Sequence, residues 1–387
     1  MTHGPLHGIT VVSFEQAVAA PFATRQLADL GARVIKVERE SGDFARGYDT
    51  KVRGMASYFT WLNRSKESVV LDLKSPEGRE AARALIERAD VFVQNLAPGA
   101  VGRMGLGADE ALKINPRLIH VSISGYGETG PYQSKKAYDL LVQCEAGLLS
   151  ITGTLENPVK VGISIADIAA GMYAYSGVLS ALIQRGITGE GQRLEISMLE
   201  ALAEWMSHPY FYAEYGGAPP SRTGAAHATI APYGPYECAD GTVFFAVQNE
   251  REWRRFCDDV IADEALATDS RFAGNASRVD HRADLDAVIA PAMRRLTRAE
   301  AMARLDSAAI ANAELRDMAG LSQHPQLEAR GRWRDVDSPV GPVRSLVPPV
   351  TAPWDSRMDP IPALGADTER ILGELGLPTS THGKQTI

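Results

Sequence analysis

Between Ile9 and Ser122 short β-branched runs alternate with stretches of helical apolar spacing, and this pattern restricts the fold more than any other feature of the chain. Ile9–Phe14 reads as a strand, Pro21–Leu30 as a helix stopped by Gly31, and Arg33–Glu38 as a second strand. Ser68–Leu73, Val91–Gln94 and Leu118–Ser122 follow as strands, with Pro76–Arg88 and Asp109–Ile114 as helices between them. The alternation predicts a mostly parallel sheet covered on both faces, because each crossover returns the chain through a helix. Ligands on such sheets sit beyond the carboxyl ends of the strands. The first turn, Glu15-Gln16-Ala17-Val18-Ala19-Ala20-Pro21, lacks the G-x-G-x-x-G that a dinucleotide pyrophosphate requires, and no P-loop sequence occurs.

After Ser124 the alternation gives way to a Gly-rich loop, Ser124–Pro131, and to helices over Tyr138–Leu149 and Ile168–Gln184. A strand at Gln192–Ile196 and a helix from Met198 to about Tyr215 complete a large α/β, Rossmann-like domain. A Gly- and Pro-rich crossing follows, and the expected linker is 216–224. Tyr236–Phe245 has hairpin turn chemistry, and helical patterns at Glu252–Ile261, His281–Arg295 and Arg298–Leu305 make 225–320 a smaller α+β domain. A proline-bearing tail and a last helix at Asp367–Leu375 return to the large domain, expected as the discontinuous 1–215 and 321–387.

At 387 residues the chain exceeds one ordinary core, so more than one domain is expected. A net charge of −8, with 40 Lys plus Arg against 48 Asp plus Glu, argues against nucleic-acid and anionic-membrane partners. Cys144, Cys238 and Cys257 have neither an even count nor C-x-x-C spacing, so no disulfide framework and no metal site are expected, and the setting reads as cytoplasmic. Cys144 as a nucleophile has no supporting signature, and a small buried thiol is the default reading. No secretory signal is visible, and the uncharged run Ile168–Ile183 is short for a membrane span and reads as a buried helix.

One acid stands out in Gly162–Met172, where Asp167 opens a long apolar helix. Asp is a common helix cap, and capping alone would explain it. A carboxylate at a helix N-terminus is also expected to stay ionised beside unpaired N–H groups, and an ionised carboxylate is the form a covalent acyl-transfer nucleophile takes.

Several spaced motifs, taken together, resemble one family. Leu6-His7-Gly8-Ile9-Thr10-Val11-Val12, Gly31–Glu38, Asn63–Ser68 with Leu71–Lys74 and Pro76-Glu77-Gly78, Asn95 with Pro98-Gly99, Arg103-Met104-Gly105, Asn115-Pro116-Arg117 and Ser124–Gly127 are similar, in order, to the class III CoA-transferases. That superfamily holds formyl-CoA transferase, carnitine CoA-transferase and 2-methylacyl-CoA racemase. The resemblance covers nearly the whole chain and implies that Asp167 is the nucleophile. It places Gln16 and Ala17 beside the thioester, Arg39 near the nucleotide phosphates, and Leu71 and Lys74 at the adenosine. Asn95, Leu96, Arg103, Met104 and Lys136 complete the groove. CoA then serves as a substrate, no cofactor is held tightly, and the chain pairs with itself in an interlocked homodimer.

The implied reaction passes through an aspartyl anhydride and an aspartyl-CoA thioester, with backbone N–H groups near Gln16 and Ala17 as candidate oxyanion donors. Racemases of the superfamily carry a His-Asp pair where Tyr138-Asp139 stands here, and a phenol is a poor proton acceptor, so transfer is expected over epimerisation. A non-catalytic CoA-binding protein is the remaining alternative. The segments Glu204–Tyr210 and Ala231–Pro235 resemble relatives that handle succinate, mesaconate, itaconate or citramalate, within one molecule or between two. Arg46, Arg53, Tyr138, Arg222 and His227 are the candidates for reading the acid.

Overall fold

The computed structural model describes residues 3–378. They form two compact units, one comprising the chain up to Ala146, Val161–Met206 and the chain from Gln326 onward, the other Gly147–Lys160 and Ser207–Pro325. The division therefore falls at Met206, ahead of the expected linker at 216–224, and the ends assigned to the large domain, 1–2 and 379–387, lie outside the described residues.

The large unit runs β1 (Thr10–Phe14), α1 (Ala19–Asp29), β2 (Arg33–Glu38), α2 (Ser57–Leu62), β3 (Lys66–Val70), α3 (Pro76–Arg88), β4 (Val91–Gln94), α4 (Ala100–Arg103), α5 (Ala108–Ile114), β5 (Ile119–Ser124), α6 (Asp139–Glu145), α7 (Ile165–Thr188), β6 (Gln192–Ser197) and α8 (Met198–Trp205). Its six strands are all parallel, in the order β3-β2-β1-β4-β5-β6. The order reverses between β1 and β4, where such sheets leave a crevice beyond their carboxyl ends.

One face of the sheet buries Val12, Phe14, Ile35, Val37 and Phe92 against Leu85 and Ile86 of α3 and Ile371 and Leu372 of the last helix, Thr368–Leu375. Each such side chain contributes about 1.5–3 kcal/mol by leaving water. The other face is covered by α1 and α7. These two helices touch closely at Gly171, where a Cβ would come within 2.7 Å of the Ala19 carbonyl oxygen. At the far end of α7, the buried Arg185 guanidinium donates to Asp90 at 2.9 Å and to the Arg117 carbonyl at 3.1 Å.

The regular alternation is found where the sequence places it, and the differences are local. The expected helix Tyr138–Leu149 breaks at Gly147, whose φ of +78° ends the α-helical run. The expected helix from Met198 divides at Met206 into α8 and α9 (Ser207–Gly216). The apolar helix runs 24 residues, longer than the expected span, and with a mean hydropathy of 1.3 over an 18-residue stretch it has the length and composition to cross a membrane. It is not buried all round. Ala166, Ala169, Ala170, Ala174, Val178 and Ala181 face the protein, while Ile183 and Ile187 are 70% and 78% exposed.

The small unit carries an antiparallel sheet of β7 (Tyr233–Cys238), β8 (Gly241–Ala246) and β9 (Ala311–Glu314). β7 and β8 form the expected hairpin, turning at Ala239-Asp240. Helices pack Trp253, Phe256, Phe272, Leu285 and Leu305 against Phe245 of this sheet. Arg278 is fully buried among them, donating to the carbonyls of Ala231 at 2.8 Å and Phe272 at 3.0 Å and forking onto Glu250 at 2.9 Å. Replacing Arg278 by Ala leaves those two carbonyls dry and unpaired, and is expected to cost about 2–4 kcal/mol of stability. Thermal unfolding of the variant checks this, and a melting temperature equal to the parent's would contradict it.

Candidate active site

A cleft of about 190 Å³ opens beyond the carboxyl ends of β1, β2 and β4. It is lined by Gln16, Arg39, Leu71, Lys74, Leu96 and Met104, six of the ten residues expected to hold CoA. The remaining four sit differently. Asn95 faces Gln16, donating from Nδ2 to the Gln16 carbonyl at 2.9 Å and accepting from the Gln16 N–H at 2.8 Å. It thereby stitches the loop after β1 to the loop after β4 across the switch point. Ala17 gives its N–H to Asp43 at 3.1 Å. Both backbone donors proposed for an oxyanion are thus already engaged, which leaves the Gln16 side-chain amide as the polar group of this turn. Arg103 is exposed beside Met104, and Lys136 is exposed on the loop before α6.

Under this turn lies a buried network of charges. Glu15 accepts from Lys66 at 2.6 Å, from Thr24 at 2.5 Å and from Lys36 at 3.3 Å, and Lys36 donates to Asp43 at 2.8 Å. All four charged side chains are essentially out of solvent. Burial by itself would raise the Glu15 carboxyl, but Lys66 and Lys36 overcome it and hold the group down at about 2. Burial likewise opposes charge on Lys36, and Glu15 and Asp43 override it in the upward direction. On Lys66 burial outweighs the pull of Glu15 and lowers the amine to about 8.

Asp167 occupies the first turn of α7, as expected, but does not enjoy the helix N-terminus. Asp139, at the start of α6, accepts from the N–H groups of Ala166 at 2.8 Å and of Asp167 itself at 3.4 Å. Asp139 is fixed in turn by Gln143, whose Nε2 donates to it at 2.6 Å. The helix donors therefore stabilise Asp139, while burial first, and the neighbouring Asp139 charge second, push the Asp167 carboxyl up to about 7. The expectation of a fully ionised Asp167 is corrected accordingly: near neutral pH it titrates.

Tyr48 connects this acid to the cleft. Although Tyr48 is 48% exposed, desolvation of its inner half and then the Asp43 and Asp167 carboxylates push its hydroxyl upward. Asp43 also lines the cleft, so the acid, the phenol and the Gln16 turn share one neighbourhood. Tyr58 extends it, packing edge-on to Tyr48 at 5.7 Å between ring centroids and hydrogen-bonding Ser164, the residue before α7, at 3.1 Å. Sequence reasoning did not single out Asp43, Tyr48 or Tyr58. Asp43 follows β2 by five residues, and only its burial marks it.

The acid-reading candidates scatter. Arg46 is forked onto Glu38 at 2.7 and 2.9 Å and lies 3.7 Å from the Phe59 ring centre, so its guanidinium is occupied. Arg53 is exposed, with a φ of +51°. Tyr138 is 67% exposed. Arg222 and His227 belong to the small unit, where Arg222 donates to the carbonyls of Thr154 and Leu155 at 2.7 Å. His227 stacks on Tyr233 at 5.0 Å, and burial, with His208 and Arg282 nearby, lowers its basicity. Cys144 is exposed, against the expectation of a buried thiol.

The profile of CoA-transferase family III matches residues 6–368. Succinate–glutarate CoA-transferase of Agrobacterium fabrum is 33% identical over 390 residues, which cover 96% of this chain and 96% of that relative. Succinyl-CoA:mesaconate CoA-transferase of Haloarcula hispanica is 31% identical, with 98% of each chain covered. A crystal structure of a CAIB/BAIF family protein from Brucella suis superposes with a TM-score of 0.85 at 33% identity, covering 97% of this chain and all of that one. With the profile spanning almost the full length, a relative 33% identical over 96% of both chains, and the six-stranded parallel sheet of the solved neighbour, the chain belongs to CoA-transferase family III.

Proposed function

We propose that this enzyme moves CoA between short dicarboxylates, with Asp167 as the covalent nucleophile. The Asp167 carboxylate attacks the donor thioester carbonyl, forming an acyl-aspartyl anhydride and releasing the CoA thiolate into the cleft. The thiolate attacks the aspartyl carbonyl of the anhydride, giving an aspartyl-CoA thioester and the free donor acid. The acceptor carboxylate then attacks this thioester and re-forms an anhydride. Return of the thiolate to the acceptor carbonyl yields the new CoA ester and a free Asp167 carboxylate.

The observation that carries this reading is the aromatic bridge from α7 to the cleft: Tyr58 hydrogen-bonds Ser164, just ahead of the acid titrating near 7, and packs on Tyr48, whose turn starts from Asp43 in a cleft lined by Gln16, Arg39 and Lys74. Such an acid is both ionised often enough to attack and a reasonable leaving group from its own anhydride. The Gln16 side-chain amide and the Tyr48 hydroxyl, which make no side-chain hydrogen bond among the described residues, are the donors offered to a developing oxyanion. Arg39 and Lys74 are exposed cations on the cleft wall, suited to phosphate groups. The choice of dicarboxylates rests on the relatives acting on succinate, glutarate and mesaconate.

We also assign the exposed apolar side chains Ile183 and Ile187, one turn apart on α7, to a homodimer contact, which gel filtration at the mass of two chains would support. The substrate test is to mix the enzyme with succinyl-CoA and a panel of glutarate, mesaconate, itaconate, citramalate, acetate and butyrate, and to read new CoA esters by mass. Esters of the dicarboxylates and none of the monocarboxylates are expected. Absence of a new ester with every acid would contradict intermolecular transfer.

A further inference from the structure

Ala17 holds a φ of +59°, a left-handed conformation that an alanine adopts at a disadvantage of roughly tenfold or more. Something must hold it there. Asn95 fixes the preceding residue, Gln16, through both its N–H and its carbonyl, and the Ala17 N–H itself ends on Asp43 Oδ1 at 3.1 Å. The same oxygen accepts from the Ala45 N–H at 2.9 Å, at the start of the short turn Phe44–Gly47 that leads into Tyr48. The other oxygen of Asp43 accepts from Lys36 at 2.8 Å, and the Asp43 N–H donates to Glu38 at 2.9 Å. One carboxylate is thus anchored from below and spans two separate loops.

We propose that Asp43 is a positioning residue: it clamps the Gln16–Ala17 turn and the Tyr48 turn together, so that the two uncommitted donors of the site face one acyl group. This deepens the proposed function and rests on its assignment of the Gln16 turn to the thioester. Lys36, Glu15 and Lys66 form the base of the clamp, which is why three strand-borne or strand-flanking charges are buried where a sheet of this kind ordinarily buries aliphatic side chains. Without the clamp, Ala17 relaxes out of its left-handed conformation and the Gln16 side chain swings with it. Acyl-CoA still binds, since the cations of the cleft are untouched, but the donors no longer meet the reacting carbonyl.

The test is a double-mutant cycle of Asp43→Ala and Ala17→Gly, measured with the donor and acceptor pair that turns over fastest. Glycine takes the left-handed conformation freely, so it needs the clamp less. Asp43→Ala is expected to lower kcat about 100-fold in the parent and about tenfold in the Ala17→Gly background, with KM for acyl-CoA within about threefold in both. Asp43→Asn, which keeps an oxygen toward the Ala17 N–H, recovers most of the loss. Equal losses in the two backgrounds, or a loss confined to KM, would overturn the proposal. Should Asp43→Ala not fold, Asp43→Asn carries the same cycle with smaller factors.

Hydrogen exchange reads the clamp with no substrate present. Asp43→Ala is expected to speed exchange in peptides covering Gln16–Val18 and Ala45–Tyr48 together, with Asp43→Asn close to the parent, and speeding in neither or in only one counts against it. Oxygen-18 delivery to Asp167 in the parent enzyme reports separately on the nucleophile, so failure of that reading and failure of the clamp are told apart.

Discussion

Asp167→Asn is expected to lower the rate of CoA exchange by about 10,000-fold or more while leaving acyl-CoA binding within severalfold. The amide oxygen is too weak a nucleophile to open a thioester, whereas the cleft residues that meet CoA are unchanged by the substitution. Steady-state kinetics and a CoA-binding titration on the same preparation separate the two effects. The fold is not at risk, because the N–H groups at the start of α7 are satisfied by Asp139 and not by the residue replaced. Undiminished turnover in a folded Asp167→Asn protein would end the nucleophile assignment.

The second large effect is on pH. With its carboxyl raised to about 7, first by burial and then by Asp139, Asp167 is ionised above that value and protonated below it. Because attack needs the ionised form, kcat/KM is expected to fall about tenfold per pH unit below about 7, and to be about 100-fold lower at pH 5 than at pH 8. Asp139→Asn removes the like charge but keeps an oxygen for the Ala166 N–H, so the acid limb should move to lower pH by about one unit. An unshifted limb would show that Asp139 does not act on Asp167.

The same raised value has a stability consequence of opposite sign to the usual carboxylate case. An unfolded Asp titrates near 3.8, so between there and about 7 the folded protein holds a proton that the unfolded chain has lost. Ionised Asp167 therefore destabilises the fold progressively as pH rises through this window. Asp167→Asn should stabilise the protein by about 1–3 kcal/mol at pH 8 and by less at pH 5, after allowance for partial exposure of the side chain.

The sheet was legible because its strands are self-announcing: Val11, Val12, Val34, Ile35, Val91 and Val93 are apolar in successive positions, as strands buried on both faces must be. The helix breaks were harder to see, since Gly147 lies inside an otherwise helical pattern, and at Met206 only Ser207 and Pro209, within an apolar and aromatic run, mark the start of a new helix. Asp167 was legible as a position but not in its charge state. The acceptor that takes its helix donors lies 28 residues earlier, in α6, and local patterning cannot reveal such a competition. The buried charges were illegible for the same reason. Lys36 and Lys66 look like solvated strand residues until Glu15 is brought between them by the pairing of β1 with β2 and of β2 with β3. Among the cations proposed to read the acid, Arg46 and Arg222 turned out to be committed to protein oxygens, a fate that residue type alone does not disclose.

Whether the acid of α7 becomes covalently joined to its substrates is decided by following oxygen. In the proposed sequence, the last step leaves one oxygen of the acceptor acid on Asp167. After many turnovers with a dicarboxylate labelled with oxygen-18 in both carboxyl groups, the peptide containing Asp167 should be heavier by one or two labelled atoms, located at that side chain by fragmentation. A fully active enzyme whose Asp167 peptide stays unlabelled would contradict the account.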